Sequence, residues 1–108
     1  MTDQDQDRLN REIAETLVKL GFDDDLCWAF QFPSIRMKYG PRPHDFTDPC
    51  YLLPAVEAWQ ATKEEPVIKI HWVASRNEWF AEYEGHWGHH RNRTTAERNA
   101  FHAAVTAD

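Results

Sequence analysis

Residues 66–84, PVIKIHWVASRNEWFAEYE, carry the pattern that decides the fold. The side chains over 67–74 alternate between two faces with the period of a β-strand, and those over 79–84 alternate again. The polar stretch 75–78 separates the two runs and predicts a hairpin turn. One face of this hairpin is apolar and the other is mixed. That contrast is typical of an antiparallel sheet covered mainly on one side.

An amphipathic helix is predicted on either side of the hairpin. Residues 7–20 carry leucine and isoleucine at helical spacing with charged residues opposite them, and Gly21 follows as a stop signal. After the hairpin, Thr94 and Glu97 form a capping box, which predicts a last helix that runs to about Thr106. The small, alanine-rich face of this last helix permits close approach to a sheet.

The middle of the chain predicts a further strand and a third helix. Residues 26–32 alternate like a strand, and 35–39 could form a short strand that pairs with it. Pro54 would break a longer helix, so we expect a short turn at 49–52 and a helix over 54–63. The buried face of that helix is expected to consist of Leu52, Ala55, Val56 and Trp59.

The order of these elements predicts an α+β fold in which three helices pack on a small antiparallel sheet of three to four strands. The 108 residues fit one domain over 7–108, with a flexible N-terminus at 1–6. No apolar run is long enough to span a membrane, and the polar N-terminus lacks the features of a signal peptide. Two cysteines are too few for a disulfide scaffold. We therefore expect a cytoplasmic protein.

Several tryptophan- and alanine-containing stretches follow the order seen in a group of small phage proteins. They are Leu26-Cys27-Trp28, Ala55-Val56-Glu57-Ala58-Trp59, Ile70-His71-Trp72 with Glu78-Trp79-Phe80, and Thr95-Ala96-Glu97-Arg98-Asn99-Ala100. In these stretches the chain resembles proteins with the phage ABA sandwich domain. The resemblance implies a phage or prophage origin and a compact α/β domain. It transfers no catalytic residue, because that family has no established activity, and the charged first helix and His-rich stretch of this chain depart from its pattern.

Charge and aromatic content favour a protein-binding function. The net charge is −6, and the acidic residues are concentrated over 1–25 and 45–84. Such a surface repels nucleic-acid phosphates and suits a basic groove on a protein that handles nucleic acid. Since no catalytic motif or phosphate loop is present, we hypothesise a non-enzymatic, anti-CRISPR-like inhibitor that needs no cofactor and occludes a host defence protein sterically or by phosphate mimicry. The expected contact residues are Asp23, Asp24, Asp25, Glu82, Glu84 and Trp87, with Arg36 and Tyr39 in the long loop 33–48.

Two other functions are left open by the sequence. Arginines beside aromatic residues, such as Arg36 near Tyr39, can stack bases and neutralise phosphates, which would suit a single-stranded nucleic-acid or ribonucleoprotein accessory module. The His- and Arg-rich stretch 85–93, predicted as a connector, could bind a metal, because closely spaced imidazoles chelate when the backbone turns. The candidate ligands are His86, His89 and His90.

A homodimer is a further alternative. A hairpin edge at 67–74 or 79–83 could pair with its copy, since an unpaired strand edge presents free backbone donors and acceptors. The sequence does not indicate which of the two strands lies at the edge.

Overall fold

The computed structural model describes residues 3–29, 42–64 and 68–107. In chain order the elements are α1 (Asp3–Lys19), α2 (Asp24–Cys27), β1 (Trp28–Ala29), β2 (Arg42–Pro43), α3 (Pro49–Gln60), β3 (Ile68–Val73), β4 (Glu78–Tyr83), β5 (His86–His90) and α4 (Arg93–Thr106). Three long helices and a three-stranded antiparallel sheet confirm the predicted α+β fold. Within the described ranges, no helix is long and apolar enough to cross a membrane.

The main sheet has the strand order β3-β4-β5, and all of its pairs are antiparallel. The hairpin predicted from the sequence is confirmed, because β3 and β4 pair along their whole length without a bulge. Its turn covers 74–77, where Asn77 adopts a φ of 55°, a conformation that asparagine tolerates. In this register Ile70 lies opposite Ala81, on the face that packs against the core.

The third strand, β5, replaces the connector that was predicted over 85–93. Glu84 and Gly85 adopt φ angles of 50° and 83°, and two consecutive positive values are typical of a type I′ hairpin turn. The chain therefore reverses in two residues, and β5 returns along β4 with Gly88 opposite Ala81. The alternation of apolar and polar residues is not visible in the sequence of this strand, because histidines occur on both of its faces.

The last helix, α4, packs across β4 and β5. Gly88 permits this close approach, because a Cβ atom at this position would lie 2.2 Å from the backbone nitrogen of Ala100 and 2.5 Å from the carbonyl oxygen of Ala96. The largest apolar side chains of the buried core are Ile13, Leu17, Phe46, Leu52, Trp59, Tyr83, Phe101 and Val105. The expected buried face of the middle helix is confirmed.

The middle helix, α3, is continuous from Pro49 to Gln60, so the predicted break at Pro54 is wrong. Asp48 caps the helix by accepting a hydrogen bond from the backbone N–H of Cys50 at 2.9 Å, and Pro49 occupies the first helical position, where proline is favoured. Pro54 removes one hydrogen bond near the start of the helix. Burial of the apolar face further along compensates for that loss.

The outer helices also begin earlier than predicted. The first helix, α1, starts at Asp3 rather than residue 7, and acidic residues are favourable in a first turn. The last helix starts at Arg93, because the side chain of Asn92 rather than Thr94 caps it and accepts a hydrogen bond from the Thr95 N–H at 3.1 Å. The N-cap is therefore Asn92, two residues before Thr94, and the predicted capping box of Thr94 and Glu97 does not form the start of the helix.

The strand predicted over 26–32 is wrong at its start. The short helix α2 includes Leu26 and Cys27, and the Cys27 thiol donates to the carbonyl oxygen of Asp23 at 3.4 Å. The strand begins only at Trp28, in β1, which pairs with β2. Residues 30–32 and the proposed strand at 35–39 lie outside the described residues.

A buried arginine links the two outer helices. Arg98 of α4 has no exposed surface, and its guanidinium donates to Asn99 Oδ1 and to Asn10 Oδ1 of α1, each at 2.9 Å, and to Gln6 Oε1. The Asn10 oxygen also accepts from the N–H of Phe46 at 3.3 Å. Burial lowers the pKa of Arg98 to about 10, so it remains charged at neutral pH. This network fixes α1, α4 and the segment before α3 relative to one another.

Candidate interaction surface

The face of the sheet opposite α4 is not covered by any described helix. We call it the open face, and its residues are Lys69, His71, Val73, Glu78, Phe80, Glu82, Trp87 and His89. They alternate with the residues that point to α4, as the close contact of Gly88 with that helix shows. Lys69, His71 and His89 are exposed, and Trp87 is 51% exposed. This face therefore presents side chains from all three strands to solvent.

Aromatic rings form the centre of the open face. His71, Phe80 and His89 are direct neighbours across the three strands, and Phe80 stacks on the two imidazoles at centroid distances of 6.0 and 5.4 Å. Trp87 meets Phe80 edge-on at 6.3 Å, and the guanidinium carbon of Arg76 lies 5.9 Å from the centre of the Phe80 ring. Phe80 is thus the hub of a row of rings held by paired strands.

Charged groups lie on both sides of this aromatic row. Lys69 Nζ is 3.9 Å from Glu82 Oε2, and His89 Nδ1 is 3.1 Å from Glu78 Oε2. Each carboxylate of the open face therefore has a basic neighbour. Counted with neutral histidines, the eight residues of the open face carry a net charge of −1, from Lys69 against Glu78 and Glu82.

A cavity of about 450 Å³ opens at the β5 edge of the sheet. Its lining residues are Leu9, Glu78, Trp87, Gly88, His89, His90 and Asn99. Three of these, Glu78, Trp87 and His89, also belong to the open face. The cavity is therefore continuous with the aromatic surface around one strand edge.

The contact residues expected from the sequence are divided between different parts of the fold. Glu82 and Trp87 are cross-strand neighbours on the open face, and Glu84 lies in the turn that follows β4. The exposed side chains of Asp23 and Asp24 lie at α2, which packs against α1, α3 and β1 rather than on the sheet. Asp25 is in the same short helix. Arg36 and Tyr39 lie outside the described residues.

The three histidines considered as metal ligands do not converge. Successive residues of a strand point to opposite faces, so His89 lies on the open face whereas His86 and His90 point to the other side. His86 and His90 are four residues apart, which is roughly 13 Å along a strand. Over the described ranges no group of three His, Cys, Asp or Glu side chains is placed to hold a metal ion.

The titratable groups with shifted pKa values are buried in the core rather than on the open face. Burial raises the pKa of the Cys27 thiol to about 11, so the thiol is protonated and unreactive at neutral pH. Burial also raises the pKa of Tyr83 and of Glu97, which are joined by a hydrogen bond of 3.4 Å from the Tyr83 hydroxyl. The exposed side chain of Trp87 and the rings around Phe80 are suited to binding by contact.

The hub residue Phe80 and its neighbours His71 and His89 were not among the contact residues predicted from the sequence. The alternation over 79–84 already placed Phe80 on the mixed face of the hairpin. His89 could not be placed beside Phe80, because residues 85–93 were predicted as a connector and not as a third strand. The chain matches no protein-family model, no curated protein and no solved structure. What this surface does must therefore be inferred from its own geometry.

Proposed function

We propose that the protein is a non-enzymatic interaction protein that docks its open face on a host protein which handles nucleic acid, and so occludes that protein. The observation that supports this most strongly is the row of rings around Phe80 on a sheet face that no described helix covers. Exposed aromatic residues such as Trp87 are the favoured anchors of protein interfaces. The resemblance to phage proteins supports an anti-CRISPR-like role in the host cytoplasm.

The rigidity of the open face supports tight binding. The rings of His71, Phe80 and His89 are carried by three hydrogen-bonded strands and already contact one another. Binding therefore restricts few additional side-chain rotations, and less of the interaction free energy is lost to ordering. Trp87 at the border of the cavity can insert into a complementary pocket or cover an apolar patch.

The acidic surface supports a separate contribution to binding. Asp23 and Asp24 are exposed and lie away from the sheet, so they are suited to attracting a basic partner at longer range. Charge attraction of this kind accelerates association and weakens with salt, whereas a buried aromatic contact controls dissociation. The proposal therefore separates steric occlusion by the open face from steering by the acidic residues.

The first test is a nuclease-treated pull-down from a host lysate, followed by measurement of whether the captured protein still binds a DNA or RNA duplex. We expect a nucleic-acid-binding protein whose duplex binding the wild-type chain inhibits. Trp87→Ala should weaken its capture by roughly 30-fold or more, the effect of losing an interface anchor. Leu53→Ala is the matched control, because Leu53 is 48% exposed on α3, away from the sheet.

Asp23→Lys combined with Asp24→Lys should slow association and reduce its salt dependence while changing dissociation little. Equal capture by the Trp87→Ala and Leu53→Ala variants would place the contact elsewhere and refute the role of the open face. Capture of a partner whose nucleic-acid binding is unaffected would refute occlusion.

Single-stranded nucleic acid is the second candidate, and the parallel stacking of His71, Phe80 and His89 favours it. Successive bases stack on such rings, and Lys69 and Arg76 lie near enough to contact phosphates. The net charge of −6 and the two carboxylates of the face oppose it. Fluorescence anisotropy with short labelled oligonucleotides at low salt decides between the candidates, and Phe80→Ala should abolish any binding that uses the open face.

A further inference from the structure

The strand β3 is a sheet edge that α4 leaves uncovered. The helix packs on β4 and β5, whereas on β3 only Ile70 packs against the core. Its two neighbours on the same side, Ile68 and Trp72, are 41% and 43% exposed. Among the described residues, no strand pairs with the outer edge of β3.

Features that normally prevent edge pairing are nearly absent from this strand. Proteins protect such edges with charged side chains, lysine above all, and with proline, bulges, short strands or inward-pointing charges. Six residues, IKIHWV, form β3, and its register with β4 is continuous. The single charged residue, Lys69, points to the open face, where it lies near Glu82. The edge is therefore regular, apolar and accessible to another strand.

A second copy of the same strand complements this edge. Antiparallel pairing about a two-fold axis at Ile70 places Ile70 opposite itself and Ile68 opposite the Trp72 of the other copy. Directly opposite residues share a face, so both exposed apolar side chains are covered by each other. The same register places Lys69 opposite His71 on the open face. A shift by one residue would set the apolar side chains of the two copies on opposite faces.

We propose that the protein forms a two-fold symmetric homodimer through antiparallel pairing of β3 with β3 of a second copy, centred on Ile70. The pairing joins two three-stranded sheets into one of six strands. Both copies of α4 then lie on one side, and the two open faces form a single continuous surface on the other. The inference does not depend on the proposed function, because it concerns the free protein, although the dimer would double the docking surface.

Sedimentation velocity of the wild-type protein over concentrations from about 1 to about 500 µM tests the proposal. An interface of one strand edge is small, so we expect a reversible dimer that dissociates in the micromolar range rather than an obligate one. Two double variants are made: the lysine variant carries Ile68→Lys and Trp72→Lys in the same chain, and the glutamate variant carries Ile68→Glu and Trp72→Glu. Each variant alone should be monomeric, because the register sets its introduced like charges opposite one another across the axis.

Mixing the lysine variant with the glutamate variant should restore a heterodimer, since every opposed pair then has opposite charge. Trp87→Lys, on the open face, should leave the wild-type dimer intact. A wild-type protein that remains monomeric up to the highest concentration overturns the proposal. So does a dimer that persists in the lysine variant, because its interface must lie elsewhere.

Disulfide formation gives a readout that leaves the apolar side chains unchanged. In the proposed register, Lys69→Cys on one chain faces His71→Cys on the other at a separation that a disulfide can bridge. With Cys50→Ser in both chains to remove the exposed native thiol, mild oxidation of the mixture should give a mixed dimer, and neither variant alone should cross-link. Absence of the mixed disulfide from a mixture whose chains are folded overturns the proposed register.

Discussion

Replacing Gly88 by alanine should separate α4 from the sheet. An added Cβ atom would lie 2.2, 2.5 and 2.8 Å from three backbone atoms of α4, in Ala100, Ala96 and Asn99. Nonbonded carbon contacts have their optimum at about 3.5–4.0 Å, so the helix must retreat by roughly 1 Å or more. Backbone atoms cannot rotate away as a side chain can, and the whole helix must therefore move.

The size of this effect follows from the packing that the helix would lose. Insertion of one methyl group into a packed core typically destabilises by about 1–3 kcal/mol. We expect a value near the upper end, about 3 kcal/mol, because the shift also loosens Phe101 and Val105 of α4 in the core. With an unfolding entropy of about 2.1 cal/mol/K per residue, a chain of this length loses about 13 °C in Tm.

Circular dichroism melts of Gly88→Ala and of Gly85→Ala measure this difference. Gly85 is the matched control: it has a φ of 83°, and an added Cβ would meet nothing within 4 Å, so its substitution should cost only about 1–2 kcal/mol of backbone strain. Adding Ala100→Gly to the Gly88 variant should not rescue it, because the clash is with backbone. If the Gly88 variant melts at or above the Tm of the Gly85 variant, the close approach of α4 is refuted.

Buried polar groups give three more tests. Arg98→Met should lower the free energy of unfolding by about 2–4 kcal/mol, because the hydrogen bonds that the buried guanidinium donates to Asn10, Asn99 and Gln6 are lost, and an unchanged urea midpoint would contradict this. In the native protein at about pH 8, iodoacetamide should modify the exposed Cys50 and not Cys27, whose pKa is raised to about 11, and peptide mass spectrometry showing equal modification would be the contrary result. Since burial raises the pKa of Glu97, folding favours its protonated form and this favourable contribution is lost as pH rises; Glu97→Gln should therefore raise the Tm at about pH 7, with a difference that shrinks toward about pH 4.

The hairpin of β3 and β4 could be predicted from the sequence because its signal is local. Each strand places apolar residues on one face and a mixture of polar and apolar residues on the other, and a polar turn separates the two strands. The third strand has the same period, but His86 and His90 point toward α4 and glycine takes the place of the buried side chain. Hydropathy therefore shows no alternation there. The local signal that could have been used is the Glu84-Gly85 pair, which a type I′ turn accommodates.

The helix boundaries and the position of Arg98 depend on contacts that no local pattern contains. The guanidinium of Arg98 donates hydrogen bonds to residues that lie 88 and 92 positions away in the chain. From the sequence alone an arginine is expected at the surface, although Arg98 is buried. The same contacts hold Gln6 against α4, which explains why helical structure extends further toward the N-terminus than the apolar spacing of α1 indicates. The spacing of apolar residues predicts which face of a helix or strand is buried, but it does not predict which other element packs against that face.

One row of residues across the sheet accounts for both surfaces proposed above. Ile70, Ala81 and Gly88 lie side by side on β3, β4 and β5, and their side chains become smaller toward β5. Because α4 can approach closely only where those side chains are small, it lies over β4 and β5 and leaves β3 projecting beyond it. The single helix layer also leaves the opposite face of the sheet to Phe80 and its neighbours. A graded row of side-chain size thus determines which strand edge is available for a second copy and where the aromatic face meets solvent.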